Sequence, residues 1–346
     1  MVTMTQVAAR AGVSQATVSF VLGGQADSLK ISAQTRERVL SVARELGYQR
    51  NQLARAMITG KSRILGVLTS PDAVGNIVQI LTGIVEAGSS HDYFVKMIHL
   101  SYSGVDDDTI KRCMEWRLAG VMALGLDDDS YRRLAQEFRA QNLAMSVLNY
   151  APVCDWGVRV HSDDGQGIRQ VVSHLLALGH RRIAFFGGGE CSLSEWRDAS
   201  FRAALLEAGL PVHDLWIRQT SWDVQEIIEA DVHTFFQETG QDRPTAIVCS
   251  ADTIAMIVQR VARSLGLRLP DELSVTGYSN APLSSFSDPS LTSVDQRFPE
   301  IGRAAAQHLI RLSEEGRSEH DNGQYPDHLV PTRLVVRKST AEAPSR

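Results

Sequence analysis

The sequence predicts an α + α/β protein, in which a small helical N-terminal domain precedes a larger α/β body of two subdomains. The first observation is that residues 1–60 show the apolar spacing and capping residues of short helices. The second is a change after Gly60, where short apolar segments alternate with helical stretches. This alternation is typical of parallel sheets covered by helices on both faces. The third is length, since 346 residues are sufficient for two or three domains and a large core.

Composition excludes several classes of protein. With 43% hydrophobic and 22% charged residues, the chain is typical of a globular protein. Its four cysteines form no CxxC pair, so we expect no disulfide framework, no zinc site and a reducing, cytoplasmic location. We find no signal-peptide pattern at the N-terminus and no apolar run that would span a bilayer, so we expect no membrane partner.

Charge is unevenly distributed along the chain. Residues 1–61 contain eight basic and three acidic residues, a net charge of +5. Because the whole chain has a net charge of −5, the remaining residues carry a net charge of −10. A basic N-terminal domain on an acidic body indicates a polyanionic partner for the first domain only. A difference of this size is also typical of an ordinary solvated surface.

The first two helices are predicted from their capping residues. Thr3 and Gln6 form a capping box at the start of the first helix, which Gly12 ends. Ser14 is a favourable N-cap for a second helix over Gln15–Leu22. Three apolar residues of the second helix have helical spacing and are expected to face inward: Val18, Val21 and Leu22.

A third helix is predicted to start after Ser32 and to run to Leu46, with Gly47 as its stop and Val39, Ala43 and Leu46 as its buried stripe. Two short helices joined by a tight turn and supported by a third form a helix-turn-helix. The alternative, a three-helix bundle without a special role, has the same pattern.

The outward face of the second helix contains residues suited to DNA. In a helix-turn-helix this helix lies in the major groove, and its N-terminal residues contact base edges. The hydroxyls of Ser14, Thr17 and Ser19, with the N-terminal amides, are suited to phosphate oxygens. Phe20 is unusual on this face, because it is aromatic and other apolar residues already fill the inward positions.

The body contains two sets of predicted strands. The first covers residues 64–69, 93–100, 118–124 and 143–149, and the second covers residues 182–187, 245–250 and 273–278. Two sets indicate two similar subdomains, and ligands of such folds bind at the carboxyl ends of the strands. We therefore expect a ligand site in the cleft between the subdomains.

The N-terminal residues also match a known family. TQVAARAGVSQATVSFVL, at 5–22, and ISAQTRERVLSVARELGYQRNQLARAM, at 31–57, resemble the headpiece of the lactose repressor (LacI/GalR) family of bacterial transcription regulators. The resemblance implies that Gln15, Ala16 and Phe20 are base-reading residues. It also implies seven phosphate-contacting positions: Thr3, Ser14, Thr17, Ser19, Ser32, Thr35 and Asn51.

The base-reading helix departs from the family pattern. Phe20 stands where the family often has Arg or another polar residue, and Gly23 where Asn is common. The connection over residues 23–31 is also longer than in the best-known members. Phenylalanine cannot donate to guanine, but Phe20 and Ala16 can contact a thymine methyl group. We therefore expect A·T pairs at the contacted operator positions.

Residues 51–61 correspond to the family's hinge, a short helix that forms on DNA and inserts a leucine into the minor groove. Met57 occupies the leucine position, and a flexible apolar side chain can unstack a base step and kink the duplex. A helix this short is only marginally stable in isolation, because helix nucleation is unfavourable. DNA and the second subunit of the dimer would therefore stabilise it. In the alternative interpretation, Met57 packs against the body.

The body resembles a periplasmic sugar-binding protein, as the family's bodies do. The matching stretches are HLLALGHRRIAFFGG at 174–188, DELSVTGYSN at 271–280, PSLTSVDQ at 289–296 and VPTRLVVRKST at 330–340. The predicted domains are the headpiece at 1–50, the hinge at 51–61 and the body at 62–346. One subdomain comprises about 62–160 and 293–326, and the other about 161–292 and 327–346.

Effector positions carried over from the family give a mixed result. Arg197 matches the ligand-binding arginine, and Trp222 an aromatic position that often stacks on the ligand. Asp163 lies in the strand-end motif HSDDG, and Asp252 follows an alanine where the family frequently has asparagine. Ser279 replaces the aspartate of the family's GYD motif.

Because two common polar ligands are absent, a simple sugar effector is not expected. We expect a small-molecule effector that is sugar-like or atypical, such as a modified, phosphorylated or anionic compound, or a weakened response. In the alternative interpretation, Arg197 forms only a structural ion pair.

No motif indicates an enzyme, a metal or a cofactor. The glycines at 187–189 lack the spacing of nucleotide-binding loops, and the histidines lack paired ligand spacing. The serine-rich LSSFSD at 283–288 lacks the G-x-S-x-G elbow of hydrolases. We therefore expect no catalytic residue.

Two classes of function remain. The first is a repressor that binds a pseudo-palindromic operator as a homodimer, with a ligand in the cleft altering hinge pairing and DNA affinity. The second is a small-molecule-binding or enzymatic body whose headpiece serves another contact. The basic headpiece and its capping residues favour the first. The lack of a heptad repeat after Thr340 favours a dimer over a tetramer.

Overall fold

The structure is a computed structural model, and it describes residues 2–23, 30–48, 62–70, 77–100, 104–149, 156–189, 192–222, 224–315 and 327–345. The chain divides into two units, Met1–Ser62 and Arg63–Arg346. The predicted hinge at 51–61, with Asn51 and Met57, lies outside the described residues.

The described part of the first unit contains three helices: α1 (Met4–Ala11), α2 (Gln15–Leu22) and α3 (Ala33–Glu45). Their buried core consists of Val7, Ala8, Ala11, Val18, Val21, Val39, Val42 and Ala43. Leu22 and Leu46, expected inside, are only half-buried at the edge of this core. Each is at or beyond the end of its helix, and Val42 completes the stripe of α3 instead.

The first sheet of the body comprises β1 (Ile64–Thr69), β2 (Phe94–His99), β3 (Gly120–Leu124), β4 (Met145–Leu148), β5 (Val158–Ser162) and β11 (His328–Val330). Its order is β11-β5-β4-β3-β1-β2, and all five pairs are parallel. Its helices are α4 (Ile77–Ser90), α5 (Asp107–Glu115), α6 (Asp128–Ala140) and α11 (Phe298–Glu315).

The second sheet comprises β6 (Ile183–Gly188), β7 (Ile217–Thr220), β8 (Ala246–Cys249), β9 (Ser274–Tyr278), β10 (Thr292–Asp295) and β12 (Arg333–Val335). Its order is β12-β10-β9-β8-β6-β7, with only the β10–β12 pair antiparallel among the described strands. Its helices are α7 (Asp164–Ala177), α8 (Ser192–Glu207), α9 (Gln225–Thr239) and α10 (Asp252–Ser264).

Helices cover both faces of each sheet, as the alternation of strands and helices along the chain predicts. In the first sheet, α4 and α11 pack on one face and α5 and α6 on the other. In the second, α9 and α10 cover one face and α7 and α8 the other. The helical headpiece, followed along the chain by this two-sheet body, confirms the predicted fold class. None of the described helices has the length and apolar character needed to cross a membrane.

Within the described residues, the chain passes between the two sheets after β5, after β10 and after β11. The ends of β5 and β10 lie close together, as the hydrogen bond from Gln296 Nε2 to Ser162 Oγ at 2.7 Å shows. The carboxyl ends of strands from both subdomains therefore meet near these passages.

Candidate functional site

The exposed side of α2 presents the three residues that the sequence identifies as base readers. Gln15 and Ala16 are exposed in its first turn, and Phe20 is 38% exposed one turn later. Val18 and Val21 of the same helix are in the core. Phe20 is thus not required to complete the headpiece interior and is available to a partner.

Hydroxyl side chains cap all three helices of the headpiece. Thr3 closes a capping box on α1. Ser14 Oγ accepts from the amide of Thr17 at 3.1 Å, and Ser32 Oγ accepts from the amide of Thr35 at 3.2 Å. Each of these two pairs also has its hydroxyls 2.9 Å apart. Their capping role is therefore structural, while their contact with phosphate stays a prediction.

In the body, Arg197 of α8 is only 2% exposed and has internal partners. Its Nε donates to Asp164 Oδ2 at 2.8 Å, and its Nη1 donates to the carbonyl of Ser250 at 2.7 Å. Its guanidinium lies 4.0 Å from the ring centroid of Tyr278. These contacts are those of a structural ion pair, and an additional contact of Arg197 with an effector stays a prediction.

Asp164 is the centre of a buried hydrogen-bond network. Its Oδ1 accepts from Ser162 Oγ at 2.6 Å and from the Tyr278 hydroxyl at 2.9 Å, while Oδ2 binds Arg197. Burial, followed by the charge of Asp164, holds the pKa of Tyr278 well above its ordinary value, so Tyr278 remains a donor. Because Ser162 ends β5 and also accepts from Gln296, the network links the two subdomains. We call it the Asp164 network.

The two predicted effector carboxylates, Asp163 and Asp252, also form hydrogen bonds within the protein. Asp163 N-caps α7, its Oδ1 accepting from the amide of Gln166 at 2.8 Å. Asp252 accepts from Ser293 Oγ at 2.5 Å and from the amide of Ala281 at 2.6 Å. Burial raises the pKa of Asp252, although both hydrogen bonds oppose that shift.

The last two predicted effector residues lie at strand ends of the second sheet. A Cβ on Gly188, at the end of β6, would come within 2.5 Å of the Trp222 ring. Trp222 therefore lies flat against the backbone there. Ser279 directly follows β9 and has a φ of +116°, a backbone region that L residues rarely adopt.

Two buried polar atoms near strand ends, one in each sheet, have no hydrogen-bond partner among the described residues, and the sequence did not point to them. Ser250 Oγ and His161 Nε2 are buried and make no hydrogen bond within the described residues. The His161 ring lies 5.3 Å from that of Trp196, which precedes Arg197, and Nε2 is 3.6 Å from Asp327 Oδ2. His161 in HSDDG and Trp196 adjoin residues that the motifs did point to. Among the described residues, no group of three potential ligands could hold a metal ion.

Comparisons with known proteins agree with both units. Residues 3–51 match the family described as bacterial regulatory proteins, lacI family, and residues 172–340 match a periplasmic binding protein-like domain. By these matches, residues 3–51 are a lacI-family DNA-binding domain, and residues 172–340 are a periplasmic binding protein-like domain. The predicted resemblance is thereby confirmed for the headpiece and for the body.

Curated relatives that match nearly the whole chain are transcription regulators. It is 27% identical to the HTH-type transcriptional repressor PurR of Photobacterium profundum, over 99% of both chains. It is 29% identical to the HTH-type transcriptional regulator DegA of Bacillus subtilis, over 98% of both. The protein is therefore a DNA-binding transcription regulator of the repressor type and not an enzyme.

A solved structure gives the same result for the whole length. The lac repressor dimer bound to operator and the anti-inducer ONPF aligns with a TM-score of 0.77 at 27% identity, covering 98% of this chain and 99% of that one. The lacI-family headpiece and body thus occur together in a solved relative.

Proposed function

We propose that this regulator binds a two-fold symmetric operator as a homodimer, and that a small molecule in the cleft between its body subdomains controls the binding. The observation that carries the proposal is the exposed face of α2. It offers Gln15, Ala16 and Phe20 to a partner, while the core is complete without them. A recognition helix in a basic headpiece requires such a face.

The phosphate contacts would come from residues around the helix N-termini. Hydroxyls and amides at such positions bind anions because the helix dipole and the free N–H groups both favour negative charge. We propose Thr3, Ser14, Thr17, Ser19, Ser32, Thr35 and Asn51 for this role, with Met57 as the minor-groove wedge. Each phosphate contact would fix the position of α2 without selecting a sequence.

A homodimer is supported by exposed apolar side chains on α4 and β2, two neighbouring elements at one edge of the first subdomain. On α4, Val78 is 67% exposed and Val85 is also exposed, and on the neighbouring strand β2 Phe94 is 62% exposed and Met97 is exposed. β2 is an edge strand of the described sheet. An edge strand offers unpaired N–H and C=O groups to a partner, and exposed apolar patches often mark interaction sites. We propose that a second copy covers this α4–β2 surface, as the solved relative is a dimer.

The effector site would lie at the strand ends around Trp222 and Ser279. Trp222 would stack on the ligand and Arg197 would donate to it, while Asp163 and Asp252 hold the surrounding helix start and loop. These two carboxylates already accept internal hydrogen bonds, so neither has its full capacity left for sugar hydroxyls. This supports an atypical effector, modified, phosphorylated or anionic, over a plain monosaccharide.

Control of DNA binding would operate through the Asp164 network. It joins Ser162 and Gln296, where the chain passes between subdomains, to Arg197 and Tyr278 beside the proposed ligand site. A ligand that binds one arrangement of the subdomains more tightly shifts the population toward it.

Footprinting on DNA that flanks the protein's own gene tests this function. We expect a protected, two-fold symmetric site, and a change in its occupancy with an effector. Candidate effectors come from a thermal-shift screen of monosaccharides, sugar phosphates and other anionic metabolites, because a ligand of the folded state raises Tm. If plain monosaccharides stabilise the protein most, the atypical effector is excluded.

A further inference from the structure

We propose that α2 recognises the C5-methyl group of pyrimidines through Ala16 and Phe20, so that it accepts thymine and 5-methylcytosine but disfavours their unmethylated counterparts. This inference rests on the proposed docking of α2 in the major groove. It goes beyond that docking by naming the chemical group that is read, and it makes DNA methylation a determinant of binding.

The geometry of α2 places the two side chains in one apolar strip. Residues four apart on a helix are neighbours, with Cβ atoms roughly 5–6 Å from each other. Ala16 and Phe20 have this spacing, and both are exposed. Since successive bases of one strand are about 3.4 Å apart along the duplex axis, the strip spans about two base steps.

The chemistry of the major groove leaves the strip one suitable partner. Each base pair presents donors and acceptors there, and the thymine C5-methyl is the apolar exception. A phenyl ring or a methyl side chain placed over a polar base edge removes water from it without replacing the hydrogen bond, which is unfavourable. 5-Methylcytosine carries the same methyl at the same ring position as thymine, so the strip would contact it equally well.

The remaining composition of α2 supports the same preference. The helix, QATVSFVL, contains no lysine or arginine, the residues that most commonly read guanine. Gln15 lies next to Ala16 and is suited to adenine, through its N6 and N7 atoms. Within α2, therefore, Gln15 favours adenine, and the apolar strip favours a pyrimidine that carries the C5-methyl group, thymine or 5-methylcytosine.

The test compares matched base pairs that differ only by the methyl group. Full-length protein is first used to select an operator from random duplex DNA. Each thymine of the half-site is then replaced by uracil in turn, in both half-sites, and Kd is measured by fluorescence anisotropy at fixed salt. At the position contacted by Phe20, cytosine is compared with 5-methylcytosine, the partner base being guanine in both.

We expect uracil to weaken binding about fourfold per methyl lost, and so roughly fifteenfold when both half-sites change. Methylation of cytosine at the same position should strengthen binding by a similar factor. Phe20→Ala should reduce the ratio of the uracil Kd to the thymine Kd to about one at that position. Phe20→Leu, which stays apolar, should preserve most of the preference for thymine. Thermal unfolding of both variants checks that the headpiece remains folded.

Equal affinity for thymine and uracil operators at every position of the half-site would overturn the methyl inference, while leaving operator binding intact. A failure to enrich any sequence from random DNA would instead overturn the proposed function, and this inference with it.

Discussion

At the scale of the residue, the buried pair of Arg197 and Asp164 is the ion pair whose separation we expect to be costly. Both side chains are almost completely buried, and each neutralises a charge that would otherwise be very unfavourable away from water. Such a pair adds little net stability compared with apolar residues, but removal of one partner leaves an uncompensated charge. Arg197 and Asp164 are therefore expected to tolerate replacement only when both change together.

Asp164→Asn should lower the free energy of unfolding by about 3–5 kcal/mol, because the Arg197 guanidinium loses its counter-charge. Asp129→Asn is the matched control, since Asp129 pairs with Arg132 at the surface with both side chains exposed. That change should cost less than about 1 kcal/mol. Urea unfolding followed by circular dichroism measures both. Similar small losses in the two variants would contradict a central role for Asp164.

At the scale of the element, the contact between α4 and α11 depends on glycine. A Cβ at Gly302 of α11 would overlap the carbonyl oxygen of Ile80 in α4, and a Cβ at Gly83 would overlap that of Pro299. The obstacle in both cases is backbone, which cannot rotate away as a side chain does. The absence of a Cβ is thus what allows the two helices to approach so closely.

Gly302→Ala should therefore destabilise the body by about 1–3 kcal/mol or more, through forced separation of the helices. Gly165→Ala in the first turn of α7 is the control, because its Cβ would meet only ordinary contacts at 3.4 Å or beyond. Alanine there should be neutral or stabilising by up to about 1 kcal/mol. If chemical denaturation shows that Gly302→Ala unfolds no more readily than Gly165→Ala, the close approach is wrong.

The elements that the sequence predicts are those whose signal is local. The helices of the headpiece follow from caps, and β1, β3, β6 and β8 follow from continuous apolar runs, because strands buried on both faces need them. The strands it missed are short and lie at or beside the sheet edges: β5, β7, β10, β11 and β12. Their 3–5 residues include polar side chains, so no run marks them.

The candidate site was predictable only in part, for a related reason. The exposed face of α2 is read directly from the helical spacing of its buried residues. The role of Asp164 is not, because it is set by Arg197, Tyr278 and other side chains from distant parts of the chain. HSDDG contains two adjacent aspartates, and only the tertiary structure distinguishes the cap, Asp163, from the buried centre, Asp164.

At the scale of the whole molecule, the C-terminal segment completes the second subdomain through a buried histidine. His180 Nδ1 lies 2.9 Å from Thr245 Oγ1, and Nε2 lies 3.1 Å from Ser274 Oγ and 3.0 Å from the carbonyl of Ala341. Burial lowers the pKa of His180, although the bond to Ala341 opposes this, and so favours the neutral ring in the folded protein.

This histidine makes stability depend on pH. The unfolded chain takes up a proton below its pKa of about 6.5, while the folded chain does so only at lower pH. The stability contributed is full above about 6.5 and is lost as pH falls toward the folded-state pKa. From pH 7.5 to 5.5, His180→Gln should therefore lose less stability than the wild type, by at most about 1.4 kcal/mol. Urea titrations of both proteins at the two pH values measure these losses. Equal losses of unfolding free energy in the wild type and the variant would contradict this role of His180.

Assembly is the second property of the whole molecule. Phe94→Glu places a charge on the proposed α4–β2 surface and should halve the mass measured by sedimentation equilibrium, because burying an unpaired charge is costly. Operator affinity should fall as well, since the two half-sites are then bound independently. Leu206→Glu, at a residue of α8 that is 64% exposed, should stay dimeric. A dimeric Phe94→Glu protein would exclude this surface as the interface.

Selection of binding sites from random duplex DNA by the full-length protein tests whether two copies of α2 read a symmetric operator. We expect strong enrichment of one sequence made of two inverted half-sites, with A·T pairs at the positions contacted by α2. Recovery of unenriched DNA, or of a single half-site without a symmetric partner, would contradict it.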